Sequence, residues 1–346
     1  MTQLLRPTVL LSAAALFAFS PAGDSVDFHP ADGSDAAKSF TLNGSFEVGD
    51  LSVTVDGMDM SQQIPLDQAK LGFDLALAIV DHYVKTADGK PTELHRDYVS
   101  SKSSADMGAE NKSTDNPFKL DGKTVVFKWN EEKQDYERTF KDGEGDNDAL
   151  QSAGIDLDFR SLLPGKSIAE GDKWQVEPKA LGTALFFGVD FDHLPEMEGG
   201  GEEVTMLKEK ILPELEKMFA EFKAECTYSG MREVDGVQVA AIKLDVNSDS
   251  SLDLSSLLLD LMESQMEGQE VQVEYDIKTA TLGAKIKGAG ELLLDAKAGR
   301  VHGFAMQADV EFNVEIDVSV DAEGQSHSAE LSAEMLGNAE WAMGKN

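Results

Sequence analysis

The chain has 346 residues, 41% of them apolar, with 64 Asp and Glu against 30 Lys and Arg for a formal charge of −34. That apolar share is enough for a large core, which excludes a disordered acidic tail, and a single cysteine excludes an internal disulfide or a two-cysteine zinc or iron–sulfur site. The charge argues against DNA or RNA as partners, because phosphate binding needs clustered Lys and Arg.

In chain order, residues 1–22 read as a secretory signal peptide. Arg6 precedes an eleven-residue run from Val9 to Phe19, and Ser20 and Ala22 stand at the −3 and −1 places of a cut after Ala22. The run is too short to cross about 30 Å of hydrocarbon. No cysteine follows it, so no lipoprotein anchor is expected. Cleavage would remove Arg6 and no acid, leaving a charge of −35. No later stretch reaches 18 uninterrupted apolar residues. The expected product is a secreted or periplasmic domain over residues 23–346 that does not span a membrane.

Alternation of apolar and polar residues predicts strands through most of the rest. Leu51, Val53 and Val55 alternate, as do Phe73, Leu75, Leu77 and Ile79. Ala87–Pro91 is a turn that returns the chain through Leu94 to Val99; His82 and His95 flank this hairpin and could approach each other across it, but read better as two polar strand positions. The polar stretch Ser100–Asn116 is expected to be a loop. Val125, Phe127 and Trp129 pair with Tyr136–Phe140. Pro178–Phe187 and Glu202–Phe219 carry helical spacing, the second with Pro213 inside it. Phe222, Ala224, Cys226 and Tyr228 begin a hairpin that turns at Asp235-Gly236 and returns over Val237–Val246. Ser255–Met266 is a further helix capped by Ser255 or Ser256, with Leu258, Leu261 and Met262 inward. Val271 begins another strand. Glu291–Asp295 then leads through Ala298-Gly299 into the strongest signal, seventeen residues from Phe304 to Val320 that alternate without a slip. At about 3.3 Å per residue that strand runs about 55 Å, so it is expected to curve, bend or break. The fold class is therefore α+β, mainly antiparallel β. Long curved strands would form a half-barrel or open barrel with two or three helices against it, in halves 23–176 and 220–346 joined by a helical segment over 178–219.

Little in this pattern carries chemistry. Asp142, Glu144, Asp146 and Asp148 have a calcium-loop look. However, the sixth position from Asp142 is Asn147 where an EF-hand needs glycine, and the twelfth is Ala153 where it needs glutamate. A solvated acidic turn is the better reading. Asp190, Asp192 and His193 form a second cluster whose carboxylates and imidazole could hold a metal, but in a chain this acidic such a triplet arises easily by chance and a site needs three or four convergent ligands, so no metal is expected. None of the six histidines falls in an HExxH or HxH arrangement, and no GxSxG elbow is present. Cys226 alternates in step with Phe222 and Tyr228 and reads as a small buried hydrophobe. Gly122-Lys123-Thr124 and Gly165-Lys166-Ser167 lack the upstream glycines of a phosphate loop and read as turns.

The stretch Leu163-Pro-Gly-Lys-Ser-Ile-Ala-Glu-Gly-Asp-Lys-Trp174 resembles a family of exported bacterial β-rich proteins with an LP-x-K-x-(V/I)-x-x-GD-x-W pattern. The resemblance continues through Tyr228–Gly230, Asp235-Gly236 and the Gly288-x-Gly290 to Gly299-Arg300-Val301 hairpin, covering roughly residues 120–320. It implies a long-stranded, half-barrel-like fold with no assigned activity or catalytic residue. Trp174 reads as a core anchor.

Two functions fit. The first is a non-catalytic binding module whose apolar sheet face takes a hydrophobic small molecule, with thirteen methionines available as an adaptable lining. The second is a structural or interaction protein of the cell envelope or exterior, its acids meeting cations or a cationic partner. No enzyme, cofactor or nucleic-acid partner is expected. An outer-membrane barrel is set aside because aromatics, at 7%, form no girdles and several helices are predicted.

Overall fold

The structure, a computed structural model, describes residues 26–61, 70–106, 119–151, 153–185, 217–218, 220–266, 273–322 and 325–344. Residues 1–25, with the expected signal peptide, lie outside this set, as does nearly all of the 202–219 helix.

Twelve strands form one antiparallel sheet: β1 (Ser34–Val55), β2 (Met58–Asp59), β3 (Lys70–Ala87), β4 (Lys90–Asp106), β5 (Thr124–Asn130), β6 (Asp135–Phe140), β7 (Lys173–Val176), β8 (Lys223–Val234), β9 (Val237–Asp253), β10 (Val273–Asp295), β11 (Arg300–Ala322) and β12 (Gln325–Gly344). Their spatial order is 6-5-4-3-1-12-11-10-9-8-7, with β2 beside β1. The sheet is open, with β6 and β7 as its edges. The chain starts in the middle at β1, meanders out to β6 and crosses the sheet over residues 141–172. It enters the far edge at β7 and meanders back until β12 pairs with β1. The two halves of the sequence thus share one sheet. Among the described residues three helices accompany it: α1 (Asn147–Gln151), α2 (Pro178–Leu185) and α3 (Ser255–Met266).

The seventeen-residue alternation lies inside β11, which runs unbroken for 23 residues. Its neighbours absorb the length instead. β10 shifts register against it at Ile277/Thr279 and Leu293/Leu294, and β1 shifts against β12 between Val48 and Leu51. Such bulges bend a long ribbon locally without ending it.

Three expectations need correction. Ser100–Asp106 is not loop; it continues β4, pairing residue by residue with β3 from Ala78↔Ser100 to Gly72↔Asp106. The neighbouring strand's ladder overrides a polar composition, and Ser101 is further held by Asp121, which accepts from its backbone N–H (3.1 Å) and its hydroxyl (2.6 Å). Residues 107–116 lie outside the described set. The second correction is at α3, where the cap is Asp253: its Oδ1 accepts the Ser255 N–H at 2.8 Å. The return strand expected to stop at Val246 also runs on, as β9, to Asp253.

One face of the sheet holds the core, and its rows can be read across the strands from the register. The row Ile242–Leu292–Phe304–Met343–Phe40–Leu77 is buried throughout. Two rows carry glycines where a ring or thioether from the next strand lies flat. A Cβ at Gly44 would stand 2.3 Å from the Phe73 ring, and one at Gly337 would stand 2.3 Å from Phe46.

Candidate functional site

The core face divides into a closed end and a half-open end. At the closed end the crossing segment lies on the sheet. Leu150, Leu157, Phe159, Leu162 and Ile168 are buried there, and Phe159 stacks on Phe304 with ring centroids 4.5 Å apart. Phe159 has φ 51°, a conformation that strains a bulky residue, so the surrounding contacts must enforce it.

The residues on either side of Phe159 are held by buried charges. Lys38, Asp81, Arg96 and Asp158 are each at most 2% exposed. Arg96 grips Asp81 with two bonds, Nε to Oδ1 at 2.6 Å and a terminal nitrogen to Oδ2 at 3.0 Å, and donates to the Gly154 and Ile155 carbonyls. Lys38 Nζ donates to Asp81 (2.7 Å), Asp158 (2.6 Å) and the Tyr83 oxygen (3.0 Å), while the Tyr83 hydroxyl donates to Asp158 at 2.8 Å. Two cations meet two carboxylates, which is the condition for burying them at all. Burial alone would raise the Asp81 pKa, but the Arg96 and Lys38 charges hold it at about 2. Burial, and then the neighbouring Asp158 and Asp81, push the Tyr83 phenol well above its ordinary value. Beside this cluster Asp156 accepts the backbone N–H groups of Arg160 (3.0 Å) and Ser161 (2.9 Å), shaping the 3-10 turn Arg160–Leu162. The cluster clamps three strands to the crossing segment, and with every group satisfied it offers no free acid, base or nucleophile.

Two indoles continue the clamp. Trp174, partly buried against the core as expected of an anchor, donates Nε1–H to the Leu162 carbonyl at 3.0 Å. Trp341, in the middle of the sheet, donates to the Leu185 carbonyl at the end of α2 at 2.9 Å.

Beyond the Trp341 row the same strands change character. Phe73, Phe46 and Phe312, on β3, β1 and β11, form a diagonal line of rings over three successive rows with centroids 6.0 and 5.6 Å apart, yet all three are only half-buried. Ile286, Val314, Ile316 and Leu331 on the same face are half-buried too. On the β9–β10 side this floor is closed: Leu252, Ala280 and Ala284 are buried, and α3 packs on β10. The floor is thus an apolar surface walled on one side and accessible along its middle. It is the strongest candidate site in the described residues.

The acidic candidates from the sequence do not converge. Asp142 lies in the turn after β6 and accepts the Glu144 N–H at 3.2 Å. Asp146 caps α1 through the Ala149 N–H (2.9 Å) and pairs with Lys119 (2.9 Å). Asp148 lies in the backbone of α1. Asp190, Asp192 and His193 fall outside the described residues. Among the described residues no group of three or more His, Cys, Asp or Glu side chains is arranged to hold a metal ion. Cys226 is buried, and its thiol is pushed up to about 12 by burial and then by Asp245 and Glu225, which makes it unreactive.

His82 and His95 do stand opposite each other, on the outer face. His82 bridges two strands, with Nδ1 2.7 Å from Asp35 and Nε2 2.9 Å from Asp97. The two carboxylates sit on opposite sides of the ring, so they bind the imidazole and leave no shared centre.

No family model and no curated protein matches this chain. A solved structure described as "Asymmetric conductivity of engineered proteins" aligns over 89% of this chain and the whole of its own, at 6% identity and a TM-score of 0.17, a likeness too weak to carry an argument.

Proposed function

We propose that this protein is an exported, non-catalytic binding module that takes an apolar small molecule onto the half-open end of its core face, with the open sheet acting as a half-barrel. One observation carries the reading. Phe46 touches Phe73 on one side and Phe312 on the other, across the four strands β3, β1, β12 and β11, yet all three stay half-buried, whereas the rows of the same strands nearer the crossing segment are closed. Apolar surface gains about 25 cal/mol for each Å² removed from water, so a chain laid over this floor gains on the order of several kcal/mol before the costs of association. The buried ionic clamp supports the reading by making the closed end rigid, so the open end is a preformed cavity wall.

Titration with the neutral fluorescent probe N-phenyl-1-naphthylamine tests this. A saturable, blue-shifted signal is expected that weakens at least tenfold in Phe312→Glu while the circular dichroism stays unchanged. Absence of saturable binding would contradict the proposal.

A second reading, a partner for cations or a cationic surface, rests on the outer face. There Asp317 stands directly opposite Glu330 in the β11–β12 register, an arrangement that repels unless a positive charge joins it. Lys278 reaches Asp317 at 3.2 Å. Calorimetric titration with calcium separates the readings: heat and a raised melting temperature favour the second, and neither is expected from the first.

A further inference from the structure

Two hydroxyls stand where the apolar floor meets its closed wall. β9 reads Leu244, Val246, Ser248, Ser250, Leu252 on its core-facing side, and both serines are 4% exposed. The register places Ser248 in the row Ile286–Val310–Gly337–Phe46, and Ser250 in the row Ala284–Phe312–Met335. They therefore share rows with two of the three rings. Ser248 Oγ has no hydrogen-bond partner, and Ser250 Oγ reaches only the Ala284 carbonyl at 3.5 Å, the outer limit of such a bond. Ser34 Oγ and Trp129 Nε1 are also unpartnered, but both belong to half-buried residues. A buried hydroxyl without a partner is costly in a folded protein and calls for an explanation. At Ser248 a small aliphatic residue would cost nothing if packing were the only requirement.

The charges around this corner narrow what the hydroxyls would meet. Neither serine's row holds a Lys or Arg, and the charged residue among the described side chains of α3, which packs on β10, is Asp260. An ionised carboxylate or phosphate placed here would be buried with no cation in either row or on α3 to pair it, among the described residues of a chain of charge −34. An uncharged oxygen meets no such penalty.

We infer that Ser248, with Ser250 beside it, is a recognition point for an uncharged amphiphile. A hydroxyl or ester oxygen bonds Ser248 at the closed wall, and the hydrocarbon lies along Ile286, Phe312 and Phe46. This rests on the apolar-ligand reading above and adds the class of ligand, a neutral lipid in place of a fatty acid.

Displacement of N-phenyl-1-naphthylamine from the full chain by dodecan-1-ol, dodecanoate and dodecane, at about pH 8 where the acid is ionised, tests it. The alcohol is expected to displace the probe at lower concentration than either of the others. Ser248→Ala should raise the dodecanol concentration needed about fivefold, the loss of one hydrogen bond. It should leave probe binding and dodecane displacement unchanged and should not lower the melting temperature of the free chain. Ser248→Thr, which keeps the hydroxyl, should restore the preference. If the probe binds but dodecanoate is preferred, or Ser248→Ala displaces as the parent does or melts earlier, the inference is overturned while the apolar site stands. If the probe does not bind the parent chain, both fall.

Discussion

Lys38 stands between Ala36 and Phe40 on the core-facing side of β1, and its ammonium is shared by Asp81 and Asp158. Replacing it with Met keeps the volume but strips Asp158 of its nearest cation inside a dry site. Breaking a buried pair costs about 3–5 kcal/mol, so Lys38→Met should lower the free energy of unfolding by that amount, read as a lower urea midpoint with an unchanged slope. The same cluster sets an acid limit. The Asp81 pKa is depressed to about 2, so its contribution is fully present above the unfolded value of about 3.9 and is lost as pH falls towards 2. His82 acts in the opposite sense. Burial pushes its pKa down, but hydrogen bonds to Asp97 and Asp35 outweigh that and raise it. Its contribution is present below the unfolded value of about 6.5 and is lost as pH climbs through the higher folded value. The difference in melting temperature between the parent and His82→Gln should therefore shrink as pH rises above about 6.5; a difference that grows would refute the pairing. The clamp left a trace in the sequence. Lys38, Asp81 and Arg96 each occupy a place where the alternation calls for an apolar side chain, with Ile79 and Tyr83 flanking Asp81 and Leu94 and Tyr98 flanking Arg96. A period-two reading treats such residues as noise. Their common purpose appears only when residues far apart in the chain meet, as Lys38 and Asp158 do.

At the scale of elements, period two was a reliable guide wherever one face was apolar and failed where a core-facing position was polar. β11 and the hairpins around Asp88-Gly89, Asp235-Gly236 and Ala298-Gly299 were legible for the first reason. The ends of β4 and β9 were not, because Ser101, Ser103, Ser248 and Ser250 sit on the inner side and make those segments look like loop. Ladder pairing with β3 and β10, a long-range effect, decided both. The glycines of the inner face were equally silent in sequence, since their role depends on a ring from another strand. Gly337→Ala makes this measurable. The new methyl would meet Phe46 at 2.3 Å and the Ser45 carbonyl at 2.5 Å, and the backbone contact cannot rotate away. Overpacking of this kind costs about 1–3 kcal/mol, and the chemical denaturation midpoint should fall accordingly.

Across the whole molecule the sheet separates two solvents. One face buries its apolar rows under the crossing segment and α3, and the other carries acids in water, with ion pairs such as Lys285–Glu311 and Lys70–Glu47 at 2.6 Å relieving only part of the repulsion. A formal charge of −34 should make the fold sensitive to screening. The melting temperature should rise between about 0.01 M and about 0.1 M salt, as the screening length falls from about 30 to about 10 Å. A flat response would show that local pairing already neutralises the surface. The candidate site itself was half legible. The sequence shows an apolar stripe from Phe304 to Val320 but cannot show that its first half is roofed and its second half open, because the roof comes from residues 141–185 and from α3. The most direct measurement of the central claim is a native mass spectrum of the purified chain, followed by solvent extraction. The account predicts an added mass that extraction releases as an uncharged lipid and that Phe312→Glu abolishes. A spectrum showing the bare chain alone, unchanged after incubation with dodecan-1-ol, would contradict it.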